Sequence, residues 1–245
     1  VRKLWIWAIA GTLSVQAFDG QYSAYKEFLS EFVCREGVAY SKIKSEDLQD
    51  VRKELSGLDR TEFESLDTSE QIAYLINLYN FYTIDLIVRN LPLKNGIRDI
   101  DKPWKREFVP LFDEEVSLDH IEHDILRKEY EEPRIHFALV CASLSCPALV
   151  NRPFVGRRLD EQLTGSAKAF LDDRKRNRIK GNKLFLSKIF KWYGDDFNDK
   201  YGGPVQYIKE TLELTGTYKV SYLEYDWSLN EVESCRNVVP DVLSK

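Results

Sequence analysis

The sequence lacks an extended basic face. Apart from Arg174, Lys175, Arg176 and Arg178, which read as the solvated flank of a hairpin, its cations are scattered, and the formal net charge is −5. A nucleic-acid partner therefore has little electrostatic footprint. Also missing are a Gly-rich phosphate loop, a Gly-x-Ser-x-Gly elbow and a His-Glu-x-x-His pair. Their absence removes the usual signatures of nucleotide binding, α/β-hydrolase chemistry and zinc proteolysis. No repeat, low-complexity segment or linker divides the chain, and 245 residues suit one sizeable core better than two. Histidine and cysteine are scarce, three and four in number, so the places where they fall carry weight.

What is present favours a folded, aromatic-rich core, because a hydrophobic content of 43% is too high for a disordered chain. Arg2 and Lys3 precede an apolar stretch from Leu4 to Val15 that ends at Val15-Gln16-Ala17. Positive, apolar and small in that order is the pattern of a secretory signal peptide. The stretch is shorter than the roughly 20 residues that span a bilayer, so no permanent transmembrane anchor is expected. A buried N-terminal helix is the competing account. Residues 1–17 are thus assigned as signal peptide, 18–235 as one globular domain and 236–245 as a tail, in a secreted or periplasmic protein of net charge −7 once Arg2 and Lys3 are gone. That compartment permits disulfides.

Apolar spacing of three and four predicts helices over Tyr22–Phe32, Ser45–Leu58, Ser117–Arg127, Leu159–Leu171, Lys188–Phe197 and Val205–Leu214. Another helix opens near Thr68, and from Gln71 to Arg89 it is apolar almost all round, which makes it the buried centre of the fold. Asn77 and Asn80 share one of its faces, and buried amides need partners, so they are read as ties to neighbouring loops. The run Ile135–Val140 has strand length, Arg176–Lys180 and Lys183–Ser187 flank Gly181-Asn182 as a hairpin, and a last strand falls near Tyr218–Leu223. Asn90–Pro110 reads as irregular. The expected class is α+β, a helix-rich single domain with a small, mostly antiparallel sheet.

Several segments share a likeness: Ala73-Tyr74-Leu75-Ile76-Asn77-Leu78-Tyr79-Asn80, Leu118-Asp119-His120-Ile121-Glu122-His123, the run Arg134 to Cys146-Pro147, Leu186 to Tyr193, and Tyr225-Asp226-Trp227-Ser228-Leu229-Asn230. Together they resemble the family called domain of unknown function 547, over nearly the whole stretch from Tyr25 to Asn230. Departures are few: Leu75 stands where Trp is usual, Val140 where Asn is usual, and no second Pro follows Pro147. The resemblance implies an address for the site without a reaction, and because plant members often lack the paired thiols it implies no family-wide thiol chemistry.

All three histidines and two cysteines fall between His120 and Cys146. A thiol nucleophile needs a base or cation, and a base needs an orienting acceptor. A helix over Ser117–Arg127 puts Glu122 at the edge of its buried face and His123 on the adjacent flank, so Glu122 is either an orienting carboxylate or half of an ion pair with Arg127 or Arg134. On the expected strand His136 and Cys141 face opposite sides. Cys146, in a loop before Pro147, is the first choice of nucleophile and Cys141 the second, with His123 or His136 as base. A Cys141–Cys146 disulfide is the structural alternative. Cys34 and Cys235 are either free thiols or a second bridge. The five-residue cysteine spacing matches no common zinc site, and no metal or cofactor is expected.

Two functions follow: a thiol-dependent hydrolase or acyl transferase acting on the amide or thioester bond of a small-molecule or peptide substrate, and a non-catalytic envelope or extracellular binding domain with bridged cysteines. The export assignment predicts that mass spectrometry of natively expressed protein finds Phe18 at or near the mature N-terminus. Full-length chain recovered from the cytoplasm would overturn it.

Overall fold

A computed structural model describes residues 20–235. The signal peptide expected at 1–17 and the tail expected at 236–245 lie outside the described residues. Tyr25, Phe28, Leu29 and Phe32 form the buried face of helix α1 (Ser23–Phe32), as three-and-four spacing requires. A tight hairpin of β1 (Val33–Cys34) and β2 (Gly37–Val38) leads into α2 (Ser45–Leu55) and α3 (Arg60–Ser65). Glu54 of α2 accepts the N–H groups of Ala24 and Tyr25 at 3.0 and 2.9 Å, satisfying donors that the start of α1 leaves open.

Helix α4 (Thr68–Asn90) is the centre of the fold. Its start is fixed by a capping box in which the Asp67 side chain accepts the Glu70 N–H at 2.9 Å. Every residue from Ile72 to Ile87 is buried, so polar side chains enter the interior with the apolar ones. Each finds a partner, as burial demands. Asn77 donates to the Phe154 carbonyl at 2.8 Å and accepts the Phe154 N–H at 2.9 Å. Asn80 donates to the Ala138 carbonyl at 2.9 Å and accepts the Val140 N–H at 3.0 Å. Asp85 lies between Arg52 and Arg89. The two asparagines thus tie loops to the helix, as the sequence led us to expect.

Next come an antiparallel hairpin, β3 (Glu107–Leu111) and β4 (Glu114–Ser117), partly inside the region expected to be irregular. Pro110 is compatible with a two-stranded ribbon, which has open edges. The turn is made by Phe112 at φ 59°, so it carries none of the Gly or Asn signals that mark turns. Ser117 Oγ then accepts the His120 N–H at 3.1 Å and opens a helix that is π-helical over His120–Leu126 before the short α5 (Arg127–Glu129).

The strand expected at Ile135–Val140 is not formed. Pro133 instead begins a 3₁₀ turn, Pro133–Phe137, and every residue from Ile135 to Val140 is buried. Short apolar runs of this kind do not reveal their secondary structure by periodicity. The backbone finds its hydrogen bonds locally, Ala138 and Leu139 donating to the Ile135 carbonyl at 2.8 Å, and from the Asn80 amide. No two-faced alternation separates His136 from Cys141.

The remaining elements are α6 (Leu159–Asp172), β5 (Arg178–Lys180), β6 (Lys183–Leu186), α7 (Ile189–Trp192), α8 (Asn198–Tyr201), α9 (Pro204–Thr211) and β7 (Lys219–Tyr222). The helix expected over Lys188–Phe197 is broken at Gly194, where a 3₁₀ turn to Phe197 begins. β5 and β6 form the expected hairpin and β7 joins β6 in parallel. The class is α+β, with the strands among the described residues divided into three small sheets, antiparallel except for β6 and β7. No helix among them is long and apolar enough to cross a membrane.

Two apolar clusters meet along α6. Leu159 and Leu163 pack with α1–α4, whereas Ala167, Phe170 and Leu171 pack with Phe137, Phe190, Phe197 and Tyr207. The segment after β7 crosses back over this seam. Leu144 and Ser145 donate to the carbonyls of Ser228 and Asp226 at 2.9 and 3.2 Å, and Asn230 donates to that of Ala142 at 3.1 Å. Its end is covalently held by a Cys34–Cys235 disulfide with a Cα–Cα distance of 5.5 Å, spanning 201 residues. Gly96, at φ 69°, packs under the strap, where a Cβ would collide with the Trp227 carbonyl oxygen.

Replacing Asn80 by Leu removes both hydrogen bonds to the 138–140 backbone and leaves a buried N–H and C=O unpaired. The expected loss, measured by urea unfolding, is on the order of 1–3 kcal/mol. An unchanged midpoint would show that this backbone finds other partners.

Candidate active-site cleft

Glu122, His123, His136, Cys141 and Cys146, all singled out from the sequence, line one cleft of about 320 Å3 on the seam between the two clusters. Trp104, Trp192, Tyr193, Tyr225 and Trp227 supply much of the remaining wall. Trp192, Tyr225 and Trp227 form a continuous aromatic group with ring centroids 4.6–5.9 Å apart.

The thiols occupy one side. Both are free. Asn80 fixes the Val140 N–H, and Cys141 follows directly, its own N–H donating to Cys146 Sγ at 2.8 Å. The Cys141 sulfur lies 3.1 Å from Ser143 Oγ and 3.2 Å from Tyr225 Oη. Ala142, between Cys141 and Ser143, has φ 59°, a left-handed conformation that disfavours a side chain and that the surrounding contacts must enforce. Hydrogen bonding from Cys146, and then from the Ser143 and Tyr225 hydroxyls, outweighs burial and lowers the pKa of the Cys141 thiol. Burial first, and the adjacent Cys141 sulfur second, push Cys146 well above the ordinary value. The loop before Pro147 does not expose Cys146 as expected; it is 3% exposed, while Cys141 is half-buried. Arg176, expected to be a solvated flank, holds this loop from behind by donating to the Cys146 carbonyl at 2.6 Å.

A carboxylate and imidazole network occupies the other side. Glu122 accepts from the Tyr79 hydroxyl at 3.1 Å and stands 3.8 Å from His136 Nδ1. His136 Nε2 is 2.6 Å from Asp196 Oδ2, and the imidazole stacks on Tyr193 with ring centroids 3.9 Å apart. Arg127 forks onto both oxygens of Asp196 at 2.7 and 2.6 Å. The ion pair expected between Glu122 and Arg127 or Arg134 is therefore not made, because Asp196 takes Arg127, and Glu132 and Asp160 take Arg134. His123 sits at the rim, with Nδ1 2.9 Å from Arg127 Nη1 and Nε2 3.8 Å from Asp119. Neither His123 nor His136 is hydrogen-bonded to a thiol. Among the described residues no group of three or more His, Cys, Asp or Glu is placed to hold a metal ion.

Sequence reading missed Asp196, which lies far along the chain in a 3₁₀ turn with no motif around it. Tyr193, Tyr225 and Trp227 stood in the family-like segments, yet nothing there distinguished wall from core. The fold and cleft define an α+β protein with a dithiol beside a buried acid–imidazole network. Residues 63–171 match the model of the family described as "Protein of unknown function, DUF547". All five sequence-selected site residues fall inside the match, whereas Trp192, Tyr193, Asp196, Tyr225 and Trp227 fall outside it. No curated protein and no solved structure shows a significant match to the chain.

For Asp196, burial alone would raise the carboxyl pKa, but hydrogen bonds from Arg127 and His136 outweigh it and hold the group well below the usual range. A depressed carboxyl contributes stability that is fully present above its unfolded pKa, near 3.9, and lost as pH falls through the folded value. Asp196→Asn should therefore cost on the order of 2 kcal/mol near neutrality, its partners being partly solvated. The gap in melting temperature from the parent should narrow below about pH 4. A gap constant down to pH 2 would show that the charge is not what holds Arg127 and His136.

Proposed function

We propose that this protein is an exported thiol-dependent enzyme, a hydrolase or acyl transferase, in which Cys141 attacks the carbonyl of an amide or thioester held in the cleft. The observation that carries the reading is the Cys141 sulfur, half-buried in the cleft wall and held by the Ser143 and Tyr225 hydroxyls, with Glu122, His136 and Asp196 lining or adjoining the same cleft. Hydrogen bonds to the thiolate favour the reactive form without an imidazole in contact. His136, with a carboxylate near each ring nitrogen, is suited to pass a proton to the leaving group. Cys146 serves as support for Cys141 in this reading. Export is supported by the order of the first seventeen residues and by the Cys34–Cys235 disulfide, a bond of oxidising compartments.

A non-catalytic binding domain is the second reading. It is favoured by the missing thiol–imidazole contact and by the aromatic wall, which would stack on a planar or apolar ligand. Its structural Cys141–Cys146 bridge has less support, since both thiols are free.

Incubation with small activated thioesters, followed by peptide mapping, separates the two. The enzyme reading expects an acyl adduct on Cys141, absent in Cys141→Ala, and turnover that falls about 10²–10⁴-fold in His136→Asn while iodoacetamide still labels Cys141. A fully folded protein that takes up neither acyl group nor iodoacetamide at Cys141 would leave the binding domain as the better account.

A further inference from the structure

The acyl-transfer reading uses one thiol and leaves Cys146 as scaffolding, yet the two sulfurs are arranged more specifically than scaffolding needs. Cys146 Sγ accepts the Cys141 N–H at 2.8 Å, and its own thiol reaches the Leu139 carbonyl at 3.9 Å, so the sulfur is held against the first residue of the loop. The two residues are five apart and flank the left-handed Ala142, which folds the loop back on itself. Both residues line the cleft, Cys141 half-buried and Cys146 3% exposed. The Tyr225 hydroxyl lies 3.2 Å from the Cys141 sulfur and accepts from Ser143 Oγ at 3.3 Å. By contrast the other two cysteines are already bonded, 201 residues apart, and take no part in the cleft.

We propose that Cys141 and Cys146 are a redox-active dithiol, and that the cleft performs thiol–disulfide exchange with a disulfide-containing substrate. This rests on the reading of Cys141 as the nucleophile and adds Cys146 as the resolving thiol. In the first step the Cys141 thiolate attacks one sulfur of R–S–S–R′. The substrate S–S bond breaks, a Cys141–S–S–R bond forms, and R′–S⁻ departs and takes up a proton. In the second step Cys146 attacks the Cys141 sulfur, its proton passing to the departing R–S⁻, and a Cys141–Cys146 disulfide forms. The dithiol has lost two electrons and two protons, and the substrate disulfide has become two thiols. Run in reverse, the same steps oxidise a substrate dithiol.

The surroundings order these steps. While Cys141 is a thiolate, burial and the adjacent negative sulfur both keep Cys146 protonated. Once Cys141 is tied up in a mixed disulfide its charge is gone, and the second of these restraints lifts. Cys146 is thus held back until there is an intermediate to resolve. Tyr225 acts as a positioning residue, placing a hydroxyl against the Cys141 sulfur. The left-handed Ala142 fixes the short loop in the fold that brings them together.

The test uses the mature, full-length protein equilibrated in glutathione buffers of varied redox ratio, acid-quenched, alkylated and mapped by mass spectrometry. The expected result is a reversible Cys141–Cys146 disulfide in the parent, at ratios where Cys34–Cys235 stays oxidised. Cys146→Ser should accumulate a mixed disulfide of glutathione on Cys141, and Cys141→Ser should give none on Cys146. Tyr225→Phe should slow alkylation of Cys141 at pH 7 by about tenfold, the equivalent of one pKa unit, and shift its pH profile upward. Turnover of insulin but not of glutathione disulfide would assign a protein substrate, and the opposite pattern a small one. If Cys141 alkylates rapidly yet the parent and Cys146→Ser hold the same stable mixed disulfide, the dithiol proposal falls and the nucleophile stands. If Cys141 reacts with neither reagent in the folded protein, both fall.

Discussion

A helix buried on every side needs partners for the polar side chains it carries inside, and that constraint on α4 shapes the rest of the molecule. From Ile72 to Ile87 the helix meets protein all round, so the amides of Asn77 and Asn80 must be satisfied by what packs on them. What packs on them is irregular chain, at 138–140 and at Phe154, whose own backbone groups need partners because no sheet supplies them. Each asparagine uses one N–H as donor and its oxygen as acceptor toward the loop, the same pair that a neighbouring strand residue would supply. The match closes both accounts at once. It also sets the chemistry, because the residue after Val140 is Cys141, and a thiol one position beyond a doubly anchored backbone has little freedom to wander.

The opposite wall has a different origin. Tyr193 packs against the smaller apolar cluster, with Trp192 next to it in the chain and Asp196 three residues on, and Tyr225 and Trp227 lie on the strap that returns after β7. The strap is stitched to the thiol loop by backbone hydrogen bonds at 142, 144 and 145, to Tyr40 through Asn230, and to β1 through the Cys34–Cys235 bond. The disulfide therefore anchors the far end of the segment that carries Tyr225 and Trp227 to the cleft wall. Releasing Cys235 would loosen the segment that carries the Tyr225 hydroxyl to Cys141, and the depressed thiol pKa depends on that hydroxyl. Tyr225 and Cys235 are ten positions apart, so the disulfide and the hydroxyl against Cys141 lie on one short segment.

Legibility followed periodicity. The amphipathic faces of α1, α2 and α6 and the all-round apolarity of α4 were readable because helical spacing reports burial directly. Ile135–Val140 was misread as a strand because a short, wholly buried run has no contrast between faces, and Pro133 and the Asn80 amide decided its shape. The β3–β4 turn was invisible because Phe112 makes it in a conformation that sequence associates with glycine. For the cleft, clustering of rare residues located Glu122, His123, His136, Cys141 and Cys146 together. Their pairings were not readable, since Asp196 arrives from a distant element and takes both Arg127 and His136. Exposure of Cys146 was inferred from loop placement, but a loop fixed by Arg176 and the strap is as buried as core.

The separation of thiols from imidazoles has a physical logic of its own. A thiolate beside a carboxylate would be disfavoured by like charge, and Glu122 and Cys141 share one small cleft. Between them stand Tyr79 and Tyr193, whose hydroxyls are driven upward in pKa by burial first and by Glu122 next, with Cys141 a smaller influence on each. They stay neutral and donate rather than ionise. The cleft thus sets hydroxyl dipoles against the Glu122 carboxyl and the Cys141 sulfur, and the guanidinium of Arg127 is spent on Asp196. Hydroxyl donors stabilise a thiolate less than an imidazolium does, but they do not have to change protonation as the sulfur reacts. Such an environment suits a sulfur whose charge leaves and returns within a cycle, because the site needs no matching proton uptake at the thiol side to accommodate it.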